Sequence, residues 1–184
     1  MPNTYDVSFV GQAHGERNTV IRRLQQNVIN VVAKGTHWNL RKHHIYLRKL
    51  RMISDSFFQS VINSSRVTQE EMIEIFQRTR INLNLTASSQ DNHRNQIKGR
   101  TFEIPGSGGF QLSEYADRIE DYFHVDKEIV CFKSFDEMKA KIKYYLDHEE
   151  ERASIAEAGY RRAIGEHTYE KRFNVLFRQM GLQL

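Results

Sequence analysis

The sequence predicts an α/β fold: a Rossmann-like parallel sheet of five or six strands flanked by helices. Three observations predict it. Short apolar stretches of strand character alternate along the chain with longer stretches of helical period. The first two strands are separated by a glycine-bounded turn and one helix, the order of a βαβ unit, and such a crossover requires parallel pairing. Finally, only two prolines punctuate 184 residues, a length that suits a single domain, residues 1–184, with its own core.

Tyr5-Asp-Val-Ser-Phe-Val10 alternates in polarity, ends at Gly11 and predicts the first strand. Val20, Ile21, Leu24 and Val28 fall at helical spacing, so a helix is expected from about Glu16 to Asn27. A second strand is expected over Val28–Ala33, stopped by Lys34-Gly35. Arg41–Arg51 holds five Lys/Arg, two His and no acid; a helix is expected here with Ile45 and Leu50 inward, then a short third strand near Phe58–Ile62. Thr68-Gln-Glu-Glu71 is a capping box opening a helix with Met72, Ile73, Ile75 and Phe76. Ile81-Asn-Leu-Asn-Leu85 reads as the next strand and the polar residues 86–97 as a loop. A short helix is expected from Lys98 to the Pro105–Gly109 turn, followed by strands at Phe110–Ser113 and Glu128–Phe132. Ser134-Phe-Asp-Glu137 is a second capping box, with Phe135, Met138, Ile142 and Tyr145 on the inner face of its helix. Helices near 149–164 and 168–180 close the chain. The last carries Tyr169, Phe173, Leu176, Phe177 and Met180 on one side, a face expected to fold back or to promote self-association into a homo-oligomer.

Charge is unevenly placed. Residues 1–101 carry a balance of +8 and residues 102–184 a balance of −4. A phosphate-bearing partner fits the positive part, as does a solvated basic face. The single cysteine, Cys131, excludes an internal disulfide framework and a multi-cysteine zinc site, and it reads as a small buried residue in a strand. No apolar run approaches the roughly 18–20 residues of a membrane span, and Met1–Gly11 has no leader pattern. A reducing, cytoplasmic setting is therefore expected. His37, His43, His44 and His93 have cationic neighbours and no nearby carboxylate, so they are expected at the surface, with no metal bound. Trp38 and Tyr46 suit either a core edge or stacking on a base.

Two stretches carry candidate chemistry. Gly11-Gln-Ala-His-Gly15 joins a strand to a helix N-terminus, where backbone N–H groups and the helix dipole favour phosphate. Arg17 in the first helical turn opposes that dipole, which a nearby anion explains; the alternative is an exposed arginine. Lys98-Gly-Arg-Thr-Phe-Glu103-Ile-Pro-Gly-Ser-Gly-Gly109 combines two cations, a carboxylate and four glycines. It reads either as a ligand loop or as a tight connection holding an Arg100–Glu103 ion pair.

Together with Glu114-Tyr115, Ala156–Arg162 and His167-Thr-Tyr-Glu-Lys-Arg172, this second stretch resembles the C-terminal lobe of GT-B glycosyltransferases, group 1 type, and within them the CgeB-like, spore-maturation group. The resemblance spans roughly residues 5–180 and is weakest over 36–60. It implies a Rossmann-like lobe that binds the nucleoside diphosphate of a UDP-, GDP- or dTDP-sugar for transfer of the sugar. It implies that Glu103 accepts hydrogen bonds from the ribose hydroxyls. Arg17 and Arg100 would sit by the diphosphate and stabilise it as leaving group. The backbone near Arg66-Val67 would meet the base, Gly11 would lie by the phosphates, and Gly108 and Gly109 would let the loop approach the donor. The earlier glutamate of the family's pair is Asn95 here, so that pair is incomplete. No Asp-x-Asp is present, so donor binding without a metal cofactor is expected. Such enzymes need two lobes. The acceptor lobe would have to come from elsewhere or from a partner chain, and the isolated lobe is expected to bind donor without turnover. Two other classes compete: a nucleic-acid-binding protein using the 41–51 basic stretch, and another small-molecule Rossmann enzyme such as a nucleotide-sugar epimerase.

Overall fold

The first strand feeds directly into the parallel sheet that the βαβ order requires. A computed structural model describes residues 4–27, 29–87 and 95–181. Its elements are β1 (Tyr5–Val10), α1 (Arg17–Gln26), β2 (Val31–Lys34), α2 (Lys42–Lys49), α3 (Asp55–Asn63), α4 (Gln69–Gln77), β3 (Thr79–Asn84), α5 (Arg100–Gly106), β4 (Gln111–Glu114), a 3-10 turn (Ile119–Asp121), β5 (Val130–Phe132), α6 (Phe135–Asp147), α7 (Glu149–Glu166) and α8 (Tyr169–Gln179). The five strands are all parallel, in the order β2-β1-β3-β4-β5. The order reverses between β1 and β3, and the crevice above the carboxyl ends of those strands is where open α/β sheets bind ligands.

The sheet has two unlike faces because its strands alternate. Val7, Phe9, Ile81, Leu83, Leu112, Val130 and Phe132 form the apolar face, packed with Ile21 and Leu24 of α1 and Met138, Ile142 and Tyr145 of α6. The opposite face, under α4 and α5, carries a buried polar row: Ser8, Asn82, Asn84, Gln111 and Ser113. Ser8 donates to Asn82 at 2.8 Å, and the Asn82 amide donates to the carbonyls of Phe76 and Phe110. Asn84 donates to Thr101 Oγ1 of α5 and to Ser113 Oγ. Gln111 is the member whose side-chain amide has no partner among the described residues.

Caps set the helix starts. Thr68 and Glu71 form the full reciprocal box. Ser134 accepts from Glu137 N, but the Glu137 carboxylate accepts from Lys133 N instead. α7 packs backbone to backbone at Gly159: a Cβ there would lie 2.2 Å from the Glu128 carbonyl oxygen. Cys131 is buried, and burial pushes its thiol up to about 12, so it is an unreactive core residue.

Several expectations are corrected. The strand near Phe58–Ile62 is helix α3: Ser54 caps it by accepting from Phe57 N, and the pairs Phe57-Phe58 and Val61-Ile62 recur four residues apart, a helical period. The sheet therefore has five strands, with β2 at one edge. β2 begins at Val31, and Val28, placed at the strand start and the helix face by periodicity, lies outside the described residues. Ile45, Leu50 and Tyr46 face solvent, because α2 buries no residue fully. Trp38 does fill a core edge, with its ring edge-on to Phe9 at 5.7 Å. Most of the loop at 86–97, and His93 within it, falls outside the described residues. α8 is exposed on the face the sequence marked as apolar, with Tyr169, Phe173, Leu176 and Met180 open and the rings of Tyr169, Phe173 and Phe177 stacked along it.

Candidate functional site

The candidate site lies at the carboxyl edge of β1, β3 and β4. β1 runs out at Gly11, whose N–H donates to the Lys34 carbonyl at 2.8 Å and whose carbonyl accepts from Trp38 Nε1 at 2.7 Å. Gly35 meets it from β2 with φ of 130°, and a Cβ on Gly35 would lie 2.2 Å from the Gly11 oxygen. The Gly11 amide is thus committed to the fold. Gly11 shapes the turn and lies beside Arg17, so a place by the phosphates would rest on close approach and not on its N–H.

Arg17 opens α1 and reaches across the switch point. One guanidinium nitrogen donates to Gln12 O, past β1, at 3.1 Å; the other donates to Leu85 O, past β3, at 2.8 Å. Within α1 itself the first turn holds no acid, and the N-cap residue Glu16 makes no side-chain cap bond. Lys98 arrives from the other side and donates to Ala87 O at 2.9 Å. Burial lowers both pKa values, and for Lys98 the Arg17 charge adds to the effect. His14 is lowered too, by burial and then by Arg17 and Lys98. Two acids border this group, Glu114 and the exposed Glu16. Glu114, the last residue of β4, accepts from Thr86 N at 3.0 Å and from Ala87 N at 3.3 Å, and so fixes the end of β3. These residues border a cavity of about 180 Å³ lined by His14, Glu16, Arg17, Val20, Leu85, Ala87 and Glu114. Two half-buried cations, Arg17 and Lys98, thus stand at this cavity with Glu114, whose carboxylate is engaged by backbone N–H groups, and with the exposed Glu16; fixed cations of this kind at a switch point suit an anionic ligand.

Arg100 stands at the start of α5, near enough for its charge to depress Arg17. It contacts Met72 Sδ, lies over the Phe76 ring and pairs with Glu103 at 3.1 Å. Glu103 is therefore engaged in the ion pair that the sequence offered as the alternative, with 40% of its side chain exposed. It borders an apolar groove of about 520 Å³ shared with Phe102, Tyr122, His167 and Arg172. Asn95 donates to Tyr115 O at 2.7 Å and tethers the returning loop to the end of β4. Val67 packs with Val10, Phe76 and Ile104 beside the β1 end.

Gly108 and Gly109 are not brought to the site. They close α5 at the amino edge of β4, five residues and roughly 16 Å of strand below Glu114. A Cβ on Gly109 would come within 2.7 Å of the Asn82 amide, and Gly108 needs its φ of 79°. Both glycines serve the turn, which corrects their assignment to the donor. Lys98, Glu114 and His14 border the site although the sequence assigns none of them an individual part in binding, Lys98 being only one cation of the candidate loop. A charged residue ending an otherwise buried strand at its carboxyl edge is the signal that marks Glu114.

A family model described as glycosyl transferase-like matches residues 17–178. No curated protein matches the chain by sequence. Among solved structures, the sucrose-phosphate synthase of Thermosynechococcus elongatus is similar at 9% identity and a TM-score of 0.67, over 98% of this chain and 47% of that one. HepE of Anabaena, solved in complex with UDP, is similar at 10% identity and a TM-score of 0.61, over 98% and 50%. The C-terminal domain of the group 1 glycosyl transferase LpcC from Francisella tularensis is similar at 13% identity and a TM-score of 0.55, over 92% and 89%. The chain thus spans about half the length of the first two, and at these identities the likeness is one of fold.

Proposed function

The chain belongs to the glycosyl transferase-like family, and from that premise we propose that it is the C-terminal, donor-binding lobe of a CgeB-like GT-B glycosyltransferase. In this reading residues 1–184 hold the nucleoside diphosphate of a nucleotide sugar. A second lobe, from a further segment or a partner chain, brings the acceptor. The observation that carries the reading is Arg17 spanning the ends of β1 and β3 at the switch point, with Lys98 beside it. As the bond from sugar to phosphate breaks, charge builds on the departing diphosphate. Cations already fixed by backbone carbonyls stabilise that charge without reorganising. Arg100 extends the same field, and Val67 borders the space left for the base. The UDP held by HepE supports a uridine nucleotide as the first ligand to test. The nucleic-acid alternative is not favoured: the family match spans the chain and accounts for the 98–109 segment, which the basic stretch leaves unexplained.

Since arginine and lysine do the charge work, UDP affinity is expected to be the same in excess chelator and in magnesium, by calorimetric titration. A loss of most affinity in chelator overturns the metal-free account.

Glu103 tests the assignment to the ribose. If its carboxylate takes the two ribose hydroxyls, it does so by exchanging or sharing Arg100. Wild type then prefers UDP to a 2′,3′-dideoxy analogue, and Glu103→Gln erases that preference with about a tenfold loss of UDP affinity. If wild type shows no preference, or the variant keeps it, Glu103 is only the partner of Arg100. A half-exposed pair of that kind contributes about 1 kcal/mol to stability.

A further inference from the structure

Residues 17–54 contain nine Lys and Arg and no Asp or Glu. The densest part of that run is α2 and the turn into α3, and there the cations stand among large apolar side chains. Lys42, Ile45, Tyr46 and Lys49 are spaced i, i+3, i+4, i+7, so they share one stripe of α2. All four are exposed, Ile45 by 43% and Tyr46 by 63%. The following turn continues the surface with Leu50, Arg51 and Met52, the last 67% exposed, and Phe57 opens α3 beside it. The other side of α2 is anchored: Arg48 pairs with Asp55 at 3.1 Å and lies over the Phe58 ring, while His44 and Leu47 are half-buried. The segment is tied to the sheet edge through His37 N to Ile62 O and Gly35 N to Ser65 O, so the stripe is presented on a fixed support.

We propose that the α2–α3 face docks the protein on an anionic membrane surface. A short helix with apolar residues between lysines lies in the plane of an interface. Its apolar side chains enter the boundary between headgroups and acyl chains, and the lysine stems keep their ammonium groups among the phosphates. The charge of an acid-free stretch is complemented by anionic lipid. Nucleic acid would satisfy the cations but would leave Ile45, Leu50 and Met52 in water, so lipid uses more of what this face offers. The attachment is peripheral: among the described residues no helix is long and apolar enough to cross a membrane.

The test is co-sedimentation of the full chain with vesicles of phosphatidylcholine alone, or of phosphatidylcholine mixed with phosphatidylglycerol. Binding is expected to the mixed vesicles only, and to weaken as salt rises. Lys42→Gln and Lys49→Gln are expected to weaken it by about fivefold each, and the pair Ile45→Ser, Tyr46→Ser by about tenfold or more. Tryptophan emission from Tyr46→Trp should shift to the blue on the mixed vesicles and be quenched by brominated lipid. These side chains are exposed, so unchanged melting temperatures separate lost docking from lost folding. The proposal is overturned if the mixed vesicles do not sediment the protein, or if the serine pair binds them as well as the parent. It is also overturned if a single-stranded oligonucleotide binds more tightly than the vesicles through the same lysines.

Discussion

Arg17→Met is expected to weaken UDP binding by about a hundredfold, the largest effect of any single change at the site. A guanidinium on a diphosphate makes charge-assisted hydrogen bonds of about 1.5–3 kcal/mol each, and losing close to 3 kcal/mol corresponds to that factor. Arg17→Lys keeps the charge but not the planar fork that reaches Gln12 O and Leu85 O together. It is expected to fall between the two, about tenfold weaker than wild type. Titration calorimetry with UDP gives the affinities, and a thermal melt of each variant shows whether the β3 end has moved. If Arg17→Met binds UDP like wild type, Arg17 is a strut between two strand ends, and the donor reading loses the residue that carries it.

Gly35→Ala is expected to cost roughly 3 kcal/mol of stability, from a backbone conformation that suits only glycine and from overpacking. The new Cβ would sit 2.2 Å from the Gly11 oxygen, a backbone atom with no flexible end to swing away. For a chain of this size that corresponds to a fall in melting temperature of about 6–12 °C. Gly108→Ala is the control. It also has positive φ, but its Cβ would meet nothing within 4 Å, so only the conformational part of the cost remains. Equal losses at the two positions would show that the contact with Gly11 is unimportant.

The order of elements was legible because the parallel strands alternate instead of running apolar throughout. Ile81-Asn-Leu-Asn-Leu85 reads as a half-buried strand, and its asparagines are buried only because Ser8, Thr101 and Ser113 come to meet them from distant parts of the chain. Phe58–Ile62 was misread because five apolar-rich residues fit either period, and the deciding capping bond at Ser54 lies upstream. At the site, Arg17 was legible from its unfavourable place on a helix dipole. Lys98 and Glu114 were not, since their roles depend on β3 and β4 ending side by side. Glycine misled in the other direction. Gly108 and Gly109 look like ligand-loop residues in sequence, yet each answers a close approach or a positive φ within the fold.

The polar row beneath α4 and α5 has a consequence for how the strands find their partners. A slip of two residues between β1 and β3, or between β3 and β4, would keep every apolar side chain on its proper face, and hydrophobic burial alone would scarcely resist it. Ser8 opposite Asn82 and Asn84 opposite Ser113 oppose such a misalignment: even where a slip sets Ser8 against Asn84, or Asn82 against Ser113, it breaks a native pair and leaves one buried amide of the row without that partner. The asparagines therefore act as alignment pins during assembly. The carbonyls of Gln12 and Leu85, which must end level for one arginine to hold both, inherit their alignment from pins buried in the middle of the sheet.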